Sequence, residues 1–155
     1  LQPNEATAVV MVGEHRGIGL HNLLWILRTF PNHFKNFIFV SVGIVDVESF
    51  SAKKELTTMQ ENTNEMLDYF VNYCQQQGLA AKGFAAYGTD PTEKLTRLSK
   101  KIIKEFPHSL FFASKLIFSK DNWITRLLHN ETAVMLQRRL HLLGVQLVIL
   151  PMKID

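Results

Sequence analysis

Two stretches of this chain bring together residue types that can hold an anion. Gly13-Glu-His-Arg-Gly-Ile-Gly19 carries three glycines and one guanidinium. Glycine lets backbone amides approach a phosphate closely, Arg16 adds charge, and a helix start behind the loop adds its dipole. Leu127-Leu-His-Asn-Glu-Thr-Ala133 offers an imidazole, an amide and a hydroxyl in His129, Asn130 and Thr132. Asp46, in the loop Asp46-Val-Glu-Ser-Phe-Ser51, adds a carboxylate. With Gly13, Arg16 and Gly17 these residues form a candidate crevice for an anion or a nucleotide. Each also has a structural reading. The glycine spacing matches neither the dinucleotide fingerprint nor the phosphate loop, so a plain turn competes for the first stretch. Asn130 suits the N-cap of the helix behind it, and His15 and His129 equally suit bonds to a helix end or a loop carbonyl.

No catalytic constellation assembles around these groups. The nucleophile elbow Gly-x-Ser-x-Gly is absent. The single cysteine, Cys74, allows no internal disulfide and falls on an apolar helix face, where packing is its expected role. His15, His21, His33, His108, His129 and His141 are scattered, with no pair at metal-binding helical spacing and no clustered carboxylates. The expectation is a non-enzymatic domain with no metal. The net charge is +3. Much of the excess sits in Lys94, Arg97, Lys101 and Lys104, which recur at helical spacing with Lys100 beside them. Such a row is the solvated face of an amphipathic helix, or a surface drawn to anionic lipid headgroups. Without interleaved aromatics or a recognised motif, nucleic acid is not an expected partner.

The elements that must position these residues alternate between strand and helix. Ala8–Gly13 reads as a buried strand, and His21–Phe30 as a largely covered helix ended by Pro31. Phe37–Val45 is near-continuously apolar, as in the middle of a parallel sheet. A helix follows from about Lys53 to Gln77, with Leu56, Met59, Met66, Leu67, Phe70, Val71 and Cys74 on one face and Gly78 closing it. Ala80–Tyr87 is a weaker strand with Gly83 inside it, suited to an edge or a twisted position. Asp90 caps the next helix, Pro91 takes its first position and Glu93 completes a capping box. That helix buries Leu95, Leu98, Ile102 and Phe106 and stops at Pro107. Ser109–Phe118 is the fourth strand. A last helix then runs to Gly144, and Val145–Leu150 is the fifth strand.

Strict alternation with short connections predicts one α/β domain, a parallel sheet with helices on both faces. In such a sheet ligands bind beyond the carboxyl ends of the strands, where strand order reverses. The chain of 155 residues is long enough for one full core. No run of apolar residues is long enough to span a bilayer, and no signal peptide is visible. The chain opens Leu-Gln-Pro-Asn without Met, which is expected of a cut from a longer chain or a processed product. One cysteine fits a reducing setting.

Several stretches then resemble a known family. Leu127–Ala133, Gln137-Arg-Arg-Leu-His141, Val148-Ile-Leu-Pro151, Gly19-Leu-His-Asn22, Phe30-Pro-Asn-His-Phe-Lys-Asn-Phe37 and Ser41-Val-Gly-Ile-Val-Asp46 look like the cytosolic C-terminal domain of bacterial APC-superfamily permeases. The resemblance runs from about Ala8 to Ile154. It implies a universal-stress-protein-like domain, of the adenine nucleotide alpha hydrolase-like fold, with strand order 3-2-1-4-5. Residues 1–7 would be the linker from a transmembrane part and 8–155 the domain. It also implies a regulatory or dimerisation role for an amino-acid permease on the cytoplasmic side of the inner membrane. The partners would be the permease's own transmembrane part and a second copy, joined along Val145, Leu147, Val148 and Ile149. ATP-binding universal stress proteins carry an Asp at the end of the first strand and a glycine motif after the fourth. This chain has Gly13 at the first place and no glycine between Ser114 and Thr132, so no cofactor is expected. The alternative is a nucleotide sensor for ATP or cyclic di-AMP, gating a solute or potassium transporter.

Overall fold

Thr7–Met11 (β1) is buried along its whole length. A strand with no wet face belongs inside a parallel sheet covered on both sides, and that is where it lies. A computed structural model of the chain describes residues 1–13, 16–44, 52–114 and 134–150. Its strands are β1, β2 (Asn36–Ile44), β3 (Ala80–Gly88), β4 (Ser109–Ser114) and β5 (Leu147–Leu150). They form one sheet in the order β3-β2-β1-β4-β5, and every pairing is parallel. The helices are α1 (Arg16–Thr29), α2 (Ala52–Gln76), α3 (Pro91–Glu105) and α4, residues 134–142. The expected order and layering hold.

Side chains alternate across a strand, so β1 feeds two cores. Ala8 and Val10 join Leu23 and Ile26 of α1 and Met66, Leu67, Phe70 and Cys74 of α2. Val9 and Met11 join Leu95 and Ile102 of α3 and Leu136 and Leu140 of α4. The α1 side is rich in rings. Phe39 stacks on Phe70 at 5.2 Å, and Phe34 meets Phe112 edge-on at 5.9 Å. Edge-on and offset pairs of this kind add specific geometry to the burial.

The helix ends follow local rules. Leu79 N donates to Cys74 O and Gly78 N to Gln75 O, with Gly78 at φ 77°. Val145 N donates to Leu140 O and Gly144 N to His141 O, with Gly144 at φ 80°. Both are Schellman closures, in which only glycine enters the left-handed region without strain. Asp90 Oδ1 accepts from Thr92 N and Glu93 N at 3.1 and 3.2 Å, and so caps α3. The Glu93 carboxylate is held 3.0 Å from Arg97, one turn on.

Several boundaries differ from the sequence reading. α1 starts at Arg16, not His21, because the glycine stretch continues into the helix. Thr7 already belongs to β1. Asn36 Nδ2 donates to Gln2 O and to Thr7 Oγ1, and Gln2 N donates back to Asn36 Oδ1, so segment 1–7 is stitched to the fold. β3 is an edge strand, as its weak pattern implied. Residues 115–133, which hold the far end of the expected fourth strand and the start of the last helix, lie outside the described residues.

Candidate functional site

The strand order reverses between β1 and β4: from β1 the chain moves toward β2, from β4 toward β5. The carboxyl ends of these two strands and the start of α1 frame the crevice that the topology offers a ligand. Gly13 is half-buried at its edge. Of the other glycines of the stretch, only Gly19 is packed. Gly19 is buried in α1, and a Cβ there would meet Phe70 Cζ at 2.5 Å and Val12 Cγ1 at 3.1 Å. Glycine here lets α1 lie close against Phe70 of α2 and against Val12. Gly17 lies in the first turn of α1, exposed, with open space around it. Arg16 is also exposed, and its guanidinium sits 5.2 Å from the centroid of the Tyr69 ring on α2. That cation–π contact draws the charge across the helix pair.

Two polar groups outside the candidate site residues lie on the α1 side. Ser114 ends β4 with no exposed surface, and its Oγ has no hydrogen-bond partner among the described residues. It follows Phe112 by two residues and so shares the side of the sheet that α1 covers. Asn22 lies on the buried stripe of α1 with Gly19, Leu23 and Ile26, and its Oδ1 also has no partner among the described residues. A buried group left unpaired costs about 1–3 kcal/mol. The signal in the sequence was faint: a polar residue interrupting an apolar stripe in each case. Asn22 stands in the Gly19-Leu-His-Asn stretch, and Ser114 closes the run Leu110-Phe-Phe-Ala.

Of the remaining candidate residues, Asp46, His129, Asn130 and Thr132 lie outside the described residues. Cys74 is fully buried on α2, and burial pushes its thiol from 9.0 up to about 12. A thiol held protonated is a packing group, not a nucleophile. Among the described residues no group of three metal-ligand side chains comes together. No described helix is long and apolar enough to cross a membrane.

The expected dimer edge splits into two kinds of residue. Val145 and Leu147 are buried in the α3–α4 core, whereas Val148 and Ile149 are half-buried. The backbone carries the edge character. Phe111 N donates to Gln146 O, and Phe111 pairs with Leu147. In a parallel ladder the amides of Leu147 and Ile149 then face away from β4, and that of Val148 faces toward it. The outward carbonyl of Leu147 accepts from Gln137 Nε2 of α4 at 2.9 Å. Compared with known families and with curated proteins, the chain matches no family model and no curated protein.

Proposed function

We propose that this chain is a non-enzymatic regulatory and dimerisation domain of an APC-superfamily amino-acid permease, facing the cytoplasm at the bacterial inner membrane. The resemblance of its separate stretches to that family supports the permease context. The observation that carries the assembly role is the edge of β5. Ile149 turns both backbone groups outward on a strand that, among the described residues, pairs with β4 alone. Two copies related by a two-fold axis pair such residues reciprocally, Ile149 to Ile149, in an antiparallel ladder. Among the described residues Gln137 restrains this edge, at Leu147, which limits the contact to the end of the strand.

Sedimentation of the chain alone tests the dimer. Ile149→Pro is the informative variant, since it removes an outward amide donor, whereas Val148→Pro breaks the inward ladder. The expected result is a dimer that Ile149→Pro converts to a folded monomer. A monomeric parent at high micromolar concentration overturns it. Fractionation of the complete gene product tests the permease context, and a product found only in the soluble fraction overturns that.

The unpaired Asn22 Oδ1 and Ser114 Oγ favour a second reading, a nucleotide sensor. Both groups are buried on the α1 side of the sheet, and a ligand that reached them would supply a partner. A thermal-shift series with ATP and cyclic di-AMP decides it, since a ligand at 100 times its Kd adds about 2.7 kcal/mol to stability. No shift with either removes this reading.

A further inference from the structure

The two helical layers differ in charge. α1 and α2 balance Arg16, Arg28, Lys53 and Lys54 against Glu55, Glu61, Glu65 and Asp68. α3 sets the five cations of its lysine-arginine row against Glu93 and Glu105, and Glu93 is already held by Arg97. α4 adds Arg138 and Arg139, with no carboxylate in residues 134–142. The positive strip continues onto the edge of the sheet. Lys101 of α3 and Lys82 of β3 both lie against the Phe84 ring, 5.9 and 4.9 Å from its centroid.

The same layer leaves apolar side chains in water. Leu142, in the last turn of α4, is 88% exposed. Met135 stands two helical turns earlier on the same face and is 46% exposed. Residues so exposed contribute little to the core of this domain.

We propose that the outer face of α3 and α4 docks on an anionic phospholipid surface. The lysines and arginines meet headgroup phosphates, and Leu142 and Met135 enter the acyl boundary. Charge complementarity fixes the occupant. A nucleic acid would use the cations but not an exposed leucine. An apolar protein patch would use Leu142 but strip water from the lysines without pairing them. A bilayer interface takes both, because long basic side chains hold their charge at phosphate level while the apolar group goes below it. The balanced α1–α2 layer then faces away from the membrane. The contact suits a domain tethered to a membrane but needs no tether, so its failure would leave the dimer and the permease context standing.

Co-sedimentation of the chain with vesicles tests this, comparing pure phosphatidylcholine with mixtures containing about a third phosphatidylglycerol. Binding is expected only to the anionic vesicles, and it should weaken steeply as salt is raised, since exposed charges are screened. Lys100→Glu with Lys104→Glu should lower partitioning by roughly tenfold or more. Leu142→Gln should lower it by about tenfold, the loss of one inserted aliphatic side chain. Lys53→Glu with Lys54→Glu, on the opposite layer, should leave it unchanged. Circular dichroism confirms that each exposed-site variant is folded. The proposal is overturned by absence of binding at low salt, or by equal binding to both vesicles. It is also overturned by an equal loss in the α2 variant. Tighter binding to duplex DNA, with Leu142→Gln neutral, would overturn it in favour of nucleic acid.

Discussion

Replacing Gly17 and Gly19 separately by alanine distinguishes a ligand loop from a packed helix. Both substitutions add one methyl group within α1, and both raise intrinsic helix propensity. Gly17 has open space, so its methyl meets nothing, and near a helix start the gain is about 0.5 kcal/mol. At Gly19 the methyl arrives 2.5 Å from Phe70 Cζ. Phe70 cannot retreat freely: it is fully buried, stacked on Phe39 at 5.2 Å and met edge-on by Tyr69 at 5.2 Å. Overpacking of that kind costs about 1–3 kcal/mol. The propensity gain of about 1 kcal/mol recovers part of it, which leaves a net loss of about 1 kcal/mol. The two variants should therefore differ by roughly 1.5 kcal/mol in opposite directions from the parent. Urea unfolding followed by circular dichroism resolves this, because with a slope of about 1–3 kcal/mol per molar the midpoints separate by about 0.5–1.5 M. If Gly19→Ala is as stable as Gly17→Ala, the close approach of α1 to α2 is wrong.

Three further outcomes are expected. The Cys74 thiol should resist alkylation in the native protein at neutral pH and react only on unfolding. Its raised ionisation leaves stability unaffected below the unfolded value of 9.0, and stability falls as pH rises from there toward about 12, a decline that Cys74→Ala removes. Asp90→Ala should cost about 1 kcal/mol in urea unfolding, since two backbone amides at the start of α3 lose their acceptor, and Asp90→Asn should recover most of it. Asn36→Ala should cost about 2 kcal/mol and speed amide exchange at Gln2, because three hydrogen bonds join that side chain to the first residues and to Thr7. Unchanged exchange at Gln2 would mean that residues 1–7 are not held by Asn36.

The candidate crevice was less legible than the fold. The glycine stretch has the composition of an anion loop, but Gly19 packs against Phe70, and Arg16 finds Tyr69, both about fifty residues further along the chain. The unpaired groups of the α1 side, Asn22 and Ser114, looked ordinary because nothing local marks a buried polar atom as unsatisfied. The row of cations on α3 was visible at once. Its extension to Lys82 through Phe84 was not, since it depends on which strand α3 covers.

By itself the sequence determined the elements and some of their ends. Alternation and period set strands against helices, Gly78 and Gly144 closed two helices, and Asp90 opened another, because these choices are made by neighbouring residues. The strand order also followed, from short parallel crossovers taken with the resemblance. Only the tertiary structure decided what those elements do to one another. It turned Gly19 from a loop glycine into a helix contact and buried Val145 and Leu147 instead of exposing them. It also aimed the amide of Ile149 outward and gathered the positive charge on one layer. Burial, pairing and electrostatic field arise between residues far apart in the chain, so no local pattern specifies them.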